Sequence, residues 1–277
     1  MALHNTRLND RGVSEAIGFM LIFGMVIAGI GLVTLYGYPL LLQQQVGADE
    51  KIMEKNMIVL QNDIKSLAYK TVPFKSTSLK IGGGALTVYS STTSPVVSNI
   101  TIYDSSFPSN TYVFNFSSGE LRYESVSAQT DISLQNGAVV MRPRINPGSV
   151  MLAEPRWFYD EPTNTMVINL INITSKQLMA KEGIGTVQMA LVGEPYYNET
   201  IFTNSPFPDP RLPIKLDYTY DSGQSYSVAW DNYFTKTLNM PLISSSGTTK
   251  RYTLPINSTR PQGKLVIKKF EVEIKSI

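Results

Sequence analysis

The hydrophobic residues of this chain are distributed unevenly, and one uninterrupted block lies near the N-terminus. Residues Ala16 to Leu42, called the apolar segment below, contain no charged side chain. An α-helix needs roughly 20 apolar residues to cross a bilayer core, so the apolar segment is long enough to span one. The short segment before it is polar and carries Arg7 and Arg11. Basic residues favour the cytoplasmic side, so we expect the N-terminus inside and the remaining chain outside.

Beyond the apolar segment the helical pattern continues in another form. Apolar residues recur at heptad spacing: Val46, Met53, Leu60 and Leu67, with Met57 and Ile64 between them. An apolar stripe on an otherwise charged helix is typical of a helix that packs along one side. The pattern therefore predicts one long helix over residues 13–70. Its upper half packs either on other subunits or on the chain's own remaining part.

After Val72 the chain becomes rich in Ser, Thr, Asn, Gly and Pro, with short β-branched and aromatic runs between them. Such runs, separated by turn residues, are typical of antiparallel sheets. Asn136-Gly137 also predicts a tight hairpin turn. The predicted strands are Ala85–Tyr89, Val97–Tyr103, Thr111–Phe116, Glu120–Ser125, Ile132–Leu134, Ala138–Arg142, Thr165–Thr174, Thr186–Val192, Leu216–Tyr220, Ser225–Ala229, Arg251–Leu254 and Leu265–Ile274.

The predicted fold class is α+β, with a long N-terminal α-helix followed by an antiparallel β-sandwich-like head. Residues 71–84, which include Gly82-Gly83-Gly84, are predicted to form a linker. The head then covers residues 85–277, as one domain or as two subdomains that divide near residues 143–148. One short helix is predicted over Asn232–Leu238, with Asp231 as its N-cap.

The start of the apolar segment resembles a known processing signal. Residues 10–18 read DRGVSEAIG and lead directly into the apolar helix. This arrangement looks like the class III signal of archaeal type IV pilin-like proteins, in which a membrane peptidase cuts after the glycine. The resemblance implies a leader peptide of residues 1–12 and a cleavage site formed by Arg11, Gly12 and Val13. It also implies a prepilin peptidase-type processing enzyme as a partner.

A second, shorter resemblance lies in Gly119–Pro155, where GELRYES, NGAV and MLAEP occur. These stretches are similar to a group of uncharacterised archaeal pilin-like surface proteins. One feature departs from the family pattern. Many pilins carry a glutamate at the fifth mature position, whereas Glu15 would be the third residue after cleavage.

Glu15 has two interpretations. It pairs with the new amine of Val13 on a neighbouring subunit, or it lies among hydrated lipid headgroups. Gly24 and Ala28, four residues apart, would let apolar helices approach closely. From the resemblance we expect a homo-oligomeric helical filament, and from composition a membrane contact through residues 16–42.

Composition excludes many enzyme classes. The chain has no cysteine and a single histidine, His4, within the expected leader. A thiolate metal site and a histidine-based triad are therefore excluded from the mature chain. The 24 basic and 22 acidic residues give a net charge of +2, which provides no broad attraction to nucleic acid. Several acids remain as candidates but match no catalytic spacing: Glu154, Asp160, Glu161, Asp217, Asp221 and Asp231. We expect no enzyme activity, no cofactor, no metal and no nucleic-acid partner.

Five Asn-x-Ser/Thr sequons are candidates for N-linked glycans: Asn99, Asn115, Asn172, Asn198 and Asn257. The clusters Trp157-Phe158-Tyr159 and Tyr196-Tyr197 form either a carbohydrate-binding face or part of the core. The expected function is that of a structural subunit in a type IV pilus-like filament at the cell surface. The alternative is a non-polymerising, membrane-anchored adhesin or carbohydrate-binding module.

Overall fold

The computed structural model describes residues 10–70, 72–91, 98–105, 113–145 and 148–277, without the side chains of residues 10–14 and of Gln224. The fold is α+β, with 28% helix and 47% strand. The chain divides into two compact units between Ala48 and Asp49. We call the second of them, Asp49–Ile277, the globular unit.

The N-terminal helix begins as α1, Asp10–Leu32, passes through a π-helical turn at Val33–Gly37 and continues as α2, Tyr38–Tyr69. In the π turn the Tyr38 amide donates to the Val33 carbonyl, five residues back. Pro39 follows directly. A proline has no amide hydrogen and crowds the carbonyl four residues before it, so a locally widened turn at this position accommodates its ring. The long helix expected from the sequence is confirmed.

The globular unit contains the upper part of α2 and the strands. Among the described residues the strands are β1 Phe74–Tyr89, β2 Ser98–Tyr103, β3 Val113–Ser118, β4 Glu120–Ser125, β5 Thr130–Gln135, β6 Ala138–Pro143, β7 Val150–Ala153, β8 Phe158–Asp160, β9 Thr165–Thr174, β10 Met179–Leu191, β11 Tyr196–Thr203, β12 Lys215–Tyr220, β13 Leu242–Ser246, β14 Thr249–Thr253 and β15 Gln262–Ser276. A short helix α3, Ser227–Asn232, runs into a π turn at Tyr233–Thr237.

These strands form two sheets. Within the described ranges the larger sheet has the order β7-β6-β5-β4-β1-β10-β15-β9-β8, and β11 also pairs with β15. The smaller sheet has the order β13-β14-β12-β2-β3. The neighbours β9 and β15 run parallel, with Lys264 opposite Thr165 and Phe270 opposite Ile171. The hairpin between β5 and β6 turns at Asn136 and Gly137, which have φ angles of 46° and 73°, as a tight two-residue turn requires.

Two hydrophobic cores lie on opposite faces of the larger sheet. One contains Trp157, Trp230 and Phe234 with residues of both sheets, such as Leu216 of β12 and Ile267 of β15. The other is formed between α2 and the opposite face, and contains the heptad residues of α2 from Met53 to Leu67 together with residues of β1, β4, β9, β10 and β15. The larger sheet is therefore the central layer of the globular unit.

The expected linker at residues 71–84 is wrong from Phe74 onward, while Thr71 lies outside the described residues. Residues 74–84 belong to β1 and pair with β10, from Phe74 opposite Ala190 to Ile81 opposite Gly183. These glycines allow neighbouring groups to approach the β1 backbone closely, and they do not form a flexible connection. A Cβ on Gly84 would collide with the Glu124 backbone, and one on Gly82 would collide with the Asp49 carboxylate.

The expected division near residues 143–148 is also not seen. The strands on either side of it, β6 and β7, pair with each other, for example through Val140 and Met151. The segment is therefore a connection within one sheet.

The expected strand Ser225–Ala229 is wrong as well, since α3 begins at Ser227. Asp231 does not cap a helix. It lies inside α3 and accepts a 2.7 Å hydrogen bond from the Tyr252 hydroxyl.

Candidate functional site

The apolar segment exposes large hydrophobic side chains around its whole circumference. Their exposed fractions run from 44% at Leu42 to 72% at Met20, and successive residues such as Leu21, Ile22 and Phe23 are all more than half exposed. Consecutive positions on an α-helix point about 100° apart. A helix that is apolar on every side needs an apolar environment on every side. In the described part of the chain, Glu15–Tyr69 is the one helix long and apolar enough to cross a membrane.

The residues expected to take part in assembly lie on this surface. Gly24 and Ala28 are exposed, and a Cβ on Gly24 would meet nothing within 4 Å. Glu15 is exposed, and among the described side chains no ion pair involves it. The Thr34 hydroxyl donates to the Ile30 carbonyl at 2.9 Å, so this polar group is satisfied within the helix. Such internal pairing is what a lipid environment demands.

The expected cleavage residues Arg11, Gly12 and Val13 have helical backbone at the beginning of α1. Their side chains lie outside the described set, as do residues 1–9 of the expected leader.

The amphipathic segment of α2, Asp49–Tyr69, contrasts with the apolar segment. Its heptad side chains are fully buried: Met53, Met57, Leu60, Ile64 and Leu67. Gln61 fixes the helix to the sheet by donating to the carbonyls of Gly137 at 2.7 Å and Glu154 at 3.0 Å. Of the two interpretations of the heptad stripe, packing on the chain's own globular unit is therefore the one observed.

The five sequons differ in accessibility. Asn115 and Asn257 are exposed, and Asn99 and Asn198 are partly exposed. Asn172 lies on β9 with only 7% of its surface exposed, and its side-chain oxygen accepts a hydrogen bond from the Gly119 amide at 3.2 Å. Asn172 is therefore the least accessible of the five sequon asparagines.

The candidate acids are held in local ion pairs and hydrogen bonds rather than brought together. Asp217 is bound by Arg251 at 2.8 Å and accepts a hydrogen bond from Tyr103. The pKa of Tyr103 is raised to about 12, first by burial and then by the Asp217 charge. Within the described residues no group of three or more His, Asp or Glu side chains is placed to hold a metal ion.

A groove of about 830 Å³ opens on the larger sheet beyond the end of α2. Its floor consists of residues from neighbouring strands, in two cross-strand rows. One row runs Phe158, Val167, Val266 and Glu199, and the next runs Asn169, Lys268 and Tyr197. Tyr69 and Arg156 form one end. We call this site the tyrosine groove.

Aromatic and charged groups alternate in the tyrosine groove. The Arg156 guanidinium lies 5.0 Å from the centre of the Tyr69 ring, and Lys268 Nζ lies 5.7 Å from that of Tyr197. Burial raises the pKa of Tyr69 to about 12. Lys264 pairs with Glu199 at 2.7 Å, and the hydrogen bond from Lys264 is the main cause that lowers the pKa of Glu199.

The aromatic clusters noted in the sequence are divided between core and groove. Trp157 is buried in the core shared by the two sheets, whereas Phe158 and Tyr197 line the tyrosine groove and are 45% and 55% exposed. Arg156, Asn169 and Tyr69 were not indicated by the sequence, since only the strand pairing brings them to one place.

The fold and these two surfaces define an α+β protein with one membrane-length apolar helix and a globular unit that carries an open groove. The chain matches the Family of unknown function (DUF7289) over residues 11–203 and belongs to that family. The match begins at the expected cleavage site and extends through the end of β11. No curated protein and no solved structure matches the chain.

Proposed function

We propose that the protein is a structural subunit of a type IV pilus-like extracellular filament. The observation that carries this proposal is the division of one helix into two differently packed segments. The apolar stripe of the amphipathic segment is buried within the globular unit, with Leu60 and Leu67 fully buried. The apolar segment, in contrast, has no covered side. A bundle of several such helices covers every side, whereas a single two-helix seam would cover only one stripe.

The proposed sequence of events begins with the precursor in the cytoplasmic membrane, its N-terminus inside and its globular unit outside. Cleavage after Gly12 by a prepilin peptidase-type enzyme releases residues 1–12 and exposes the Val13 amine. The apolar segments then bundle, with close approach at Gly24 and Ala28. The Glu15 carboxylate pairs with the Val13 amine of a neighbouring subunit, which avoids the cost of burying either charge alone.

The same proposal places the globular unit at the cell surface, where Asn115 and Asn257 are the most accessible acceptors for N-linked glycans. It assigns the protein no catalytic role and no cofactor.

A second function is favoured by the tyrosine groove. A membrane-anchored adhesin or carbohydrate-binding module needs an accessible site with aromatic side chains, and Tyr197 and Phe158 provide one. This alternative keeps the apolar segment in the bilayer and requires neither cleavage nor assembly.

Replacement of the cleavage-site glycine separates the two functions. We expect Gly12→Val to prevent cleavage, so that the precursor is extracted from cell membranes only with detergent. The wild-type protein should be recovered by shearing and should begin at Val13. Gly47→Val is the matched control, because a Cβ at Gly47 meets nothing within 4 Å. Intact mass and N-terminal sequencing of both fractions give the result. If the wild-type protein retains Met1 and is not released by shearing, the filament proposal is contradicted and the membrane-anchored adhesin or carbohydrate-binding module is favoured.

A further inference from the structure

The tyrosine groove exists because α2 ends before the strands beneath it do. Where α2 covers the sheet, the residues of β9 and β15 that face it are apolar, for example Ile171, Val272 and Ile274. Beyond Tyr69 the same face of the same two strands carries other side chains: Thr165, Val167, Asn169, Lys264, Val266 and Lys268. The face that is apolar under the helix is thus polar and basic where no helix covers it.

The charges in this uncovered region do not balance. Three cations, Arg156, Lys264 and Lys268, face one carboxylate, Glu199. Glu199 is paired with Lys264, and among the described residues no acid forms an ion pair with Arg156 or Lys268. At the same end, the pKa of Lys65 is lowered by burial and then by the Arg156 charge. The groove therefore has unmet capacity for carboxylate or other anionic groups.

Two exposed aromatic side chains lie at opposite edges of the groove floor. Phe158 belongs to β8 and Tyr197 to β11, three strand spacings apart, which corresponds to about 14 Å. Between them lie Thr165, whose hydroxyl is hydrogen-bonded to Thr163, and Asn169, which is 5% exposed and donates to the Arg156 carbonyl. Exposed aromatic rings accept the apolar C–H face of a sugar ring, and the charged groups beside them suit its hydroxyls and carboxylates.

We propose that the tyrosine groove binds an acidic polysaccharide that contains uronic acid units. Carboxylates of the polysaccharide contact Arg156 and Lys268, one ring stacks on Tyr197, and Glu199 accepts hydrogen bonds from hydroxyls. This site depends on the proposed function only in that the globular unit must face the outside, and it needs no filament.

A nucleic acid fits these groups less well. A DNA backbone offers phosphate acceptors and no hydroxyl along its length, so it leaves Glu199 without a donor, whereas each uronic acid unit carries hydroxyls that can donate to it. The Tyr69 ring is also already covered, by Arg156 on one side and by Phe270 in an edge contact at 5.2 Å, so it offers no face to a base.

The test is a titration of the full-length protein in detergent with hexamers of galacturonate and of mannuronate, followed by calorimetry. The matched ligand is the methyl-esterified galacturonate hexamer, which keeps the rings and removes the charge. A single-stranded DNA oligonucleotide of equal charge is the second comparison. We expect at least one uronate hexamer to bind, and the ester and the DNA to bind at least tenfold more weakly.

Variants locate the site. We expect Arg156→Gln, Lys268→Gln and Tyr197→Ala each to weaken uronate binding tenfold or more. Lys181→Gln and Phe207→Ala are the matched controls, since Lys181 is exposed outside the groove and Phe207 is 78% exposed. Both controls should leave binding unchanged, and all five variants should show the wild-type unfolding temperature of the globular unit.

Three results would overturn the proposal: no binding of either uronate, binding of the ester or of the DNA that is as tight as uronate binding or tighter, or equal losses in the groove and control variants. None of them bears on Gly12 cleavage, so failure here and failure of the filament proposal remain distinguishable.

Discussion

The two segments of the N-terminal helix share the same backbone conformation but differ in which of their apolar side chains are buried. In Asp49–Tyr69 the apolar residues recur at heptad spacing, one stripe is buried and most of the remaining surface is polar. In Ala16–Leu42 apolar residues occupy nearly all positions and every side is exposed. The comparison teaches that the spacing of apolar residues, more than their average hydrophobicity, indicates what a helix packs against. A helix with one apolar stripe packs on its own chain, whereas a helix that is apolar on all sides needs an apolar environment outside its own globular unit.

The difference between the segments is energetic as well as geometric. Full burial of a Leu, Ile, Phe or Met side chain stabilises a structure by about 1.5–3 kcal/mol. For residues such as Leu60 this gain is realised in the globular unit, where the side chain is 0% exposed. For residues such as Leu21, 55% exposed, it becomes available only on transfer into lipid or into an assembly.

The largest expected effect comes from one truncation made in each segment. Leu60→Ala should lower the unfolding free energy of the globular unit by about 2–5 kcal/mol, because it leaves a cavity in a closed core. Leu21→Ala should leave that free energy unchanged. Trp157 and Trp230 are the two tryptophans of the chain and both are buried in the globular unit, so tryptophan fluorescence during denaturation reports this unit alone. Equal losses in the two variants would contradict the comparison.

A charge placed in the apolar segment tests its need for an apolar environment. Ile27→Arg should reduce membrane insertion by about 3 kcal/mol, the cost of an arginine near the middle of a spanning helix. The same change at an exposed position of the amphipathic segment, Val59→Arg, should have little effect on insertion, since Val59 is 48% exposed to solvent on the globular unit. Fractionation of cell membranes measures the inserted share. If the Ile27→Arg protein stays with the membrane fraction to the same extent as the wild type, the proposal that this segment holds the protein in the bilayer is contradicted.

The smallest expected effect is a pH dependence confined to the globular unit. The Arg211 hydrogen bonds are the main cause that lowers the pKa of Asp209 below its usual value of about 3.9. A lowered pKa stabilises the fold above pH ~4, and this stabilisation is lost as the pH falls through the folded-state value. The apolar segment has no Asp, Glu, His, Lys or Arg. Acid should therefore destabilise the globular unit while the apolar segment stays helical.

Asp209→Asn should lower the free energy of unfolding of the globular unit by about 1 kcal/mol at neutral pH, and by less below pH ~4. Glu194→Gln, which replaces an exposed acid, should leave this free energy unchanged at both pH values. Fluorescence and circular dichroism recorded together between pH 7 and pH 2 check both statements. Simultaneous loss of the two signals would count against independent behaviour of the two segments.

Local patterns predicted much of the fold. The unbroken apolar block and the heptad residues predicted the long helix, and Glu120–Ser125 and Thr165–Thr174 were predicted with the observed bounds of β4 and β9. Other elements depend on partners far away in the sequence. The Gly-rich part of β1 was interpreted as a linker, because its pairing with β10 and its contact with Asp49 leave no local trace.

The two candidate surfaces also differ in how far local sequence patterns predict them. The apolar segment is visible in composition alone. The tyrosine groove depends on a parallel pair, β9 with β15, and on β11, a mostly exposed strand whose sequence, YYNETIFT, does not alternate between apolar and polar residues. Its aromatic residues were noted, but Arg156 and Asn169 join them only through the strand register.

The central claim is that every side of the apolar segment is covered in the assembled protein. The chain has no cysteine, so single cysteines can be placed at four consecutive positions that together face all directions: Met20, Leu21, Ile22 and Phe23. The measurement is maleimide labelling of these variants in the sheared, detergent-free fraction, with Lys55→Cys on the exposed side of the amphipathic segment as the control. The account expects all four to be protected and the control to react. Labelling of any of the four at the control's rate, or the absence of the protein from the sheared fraction, would contradict it.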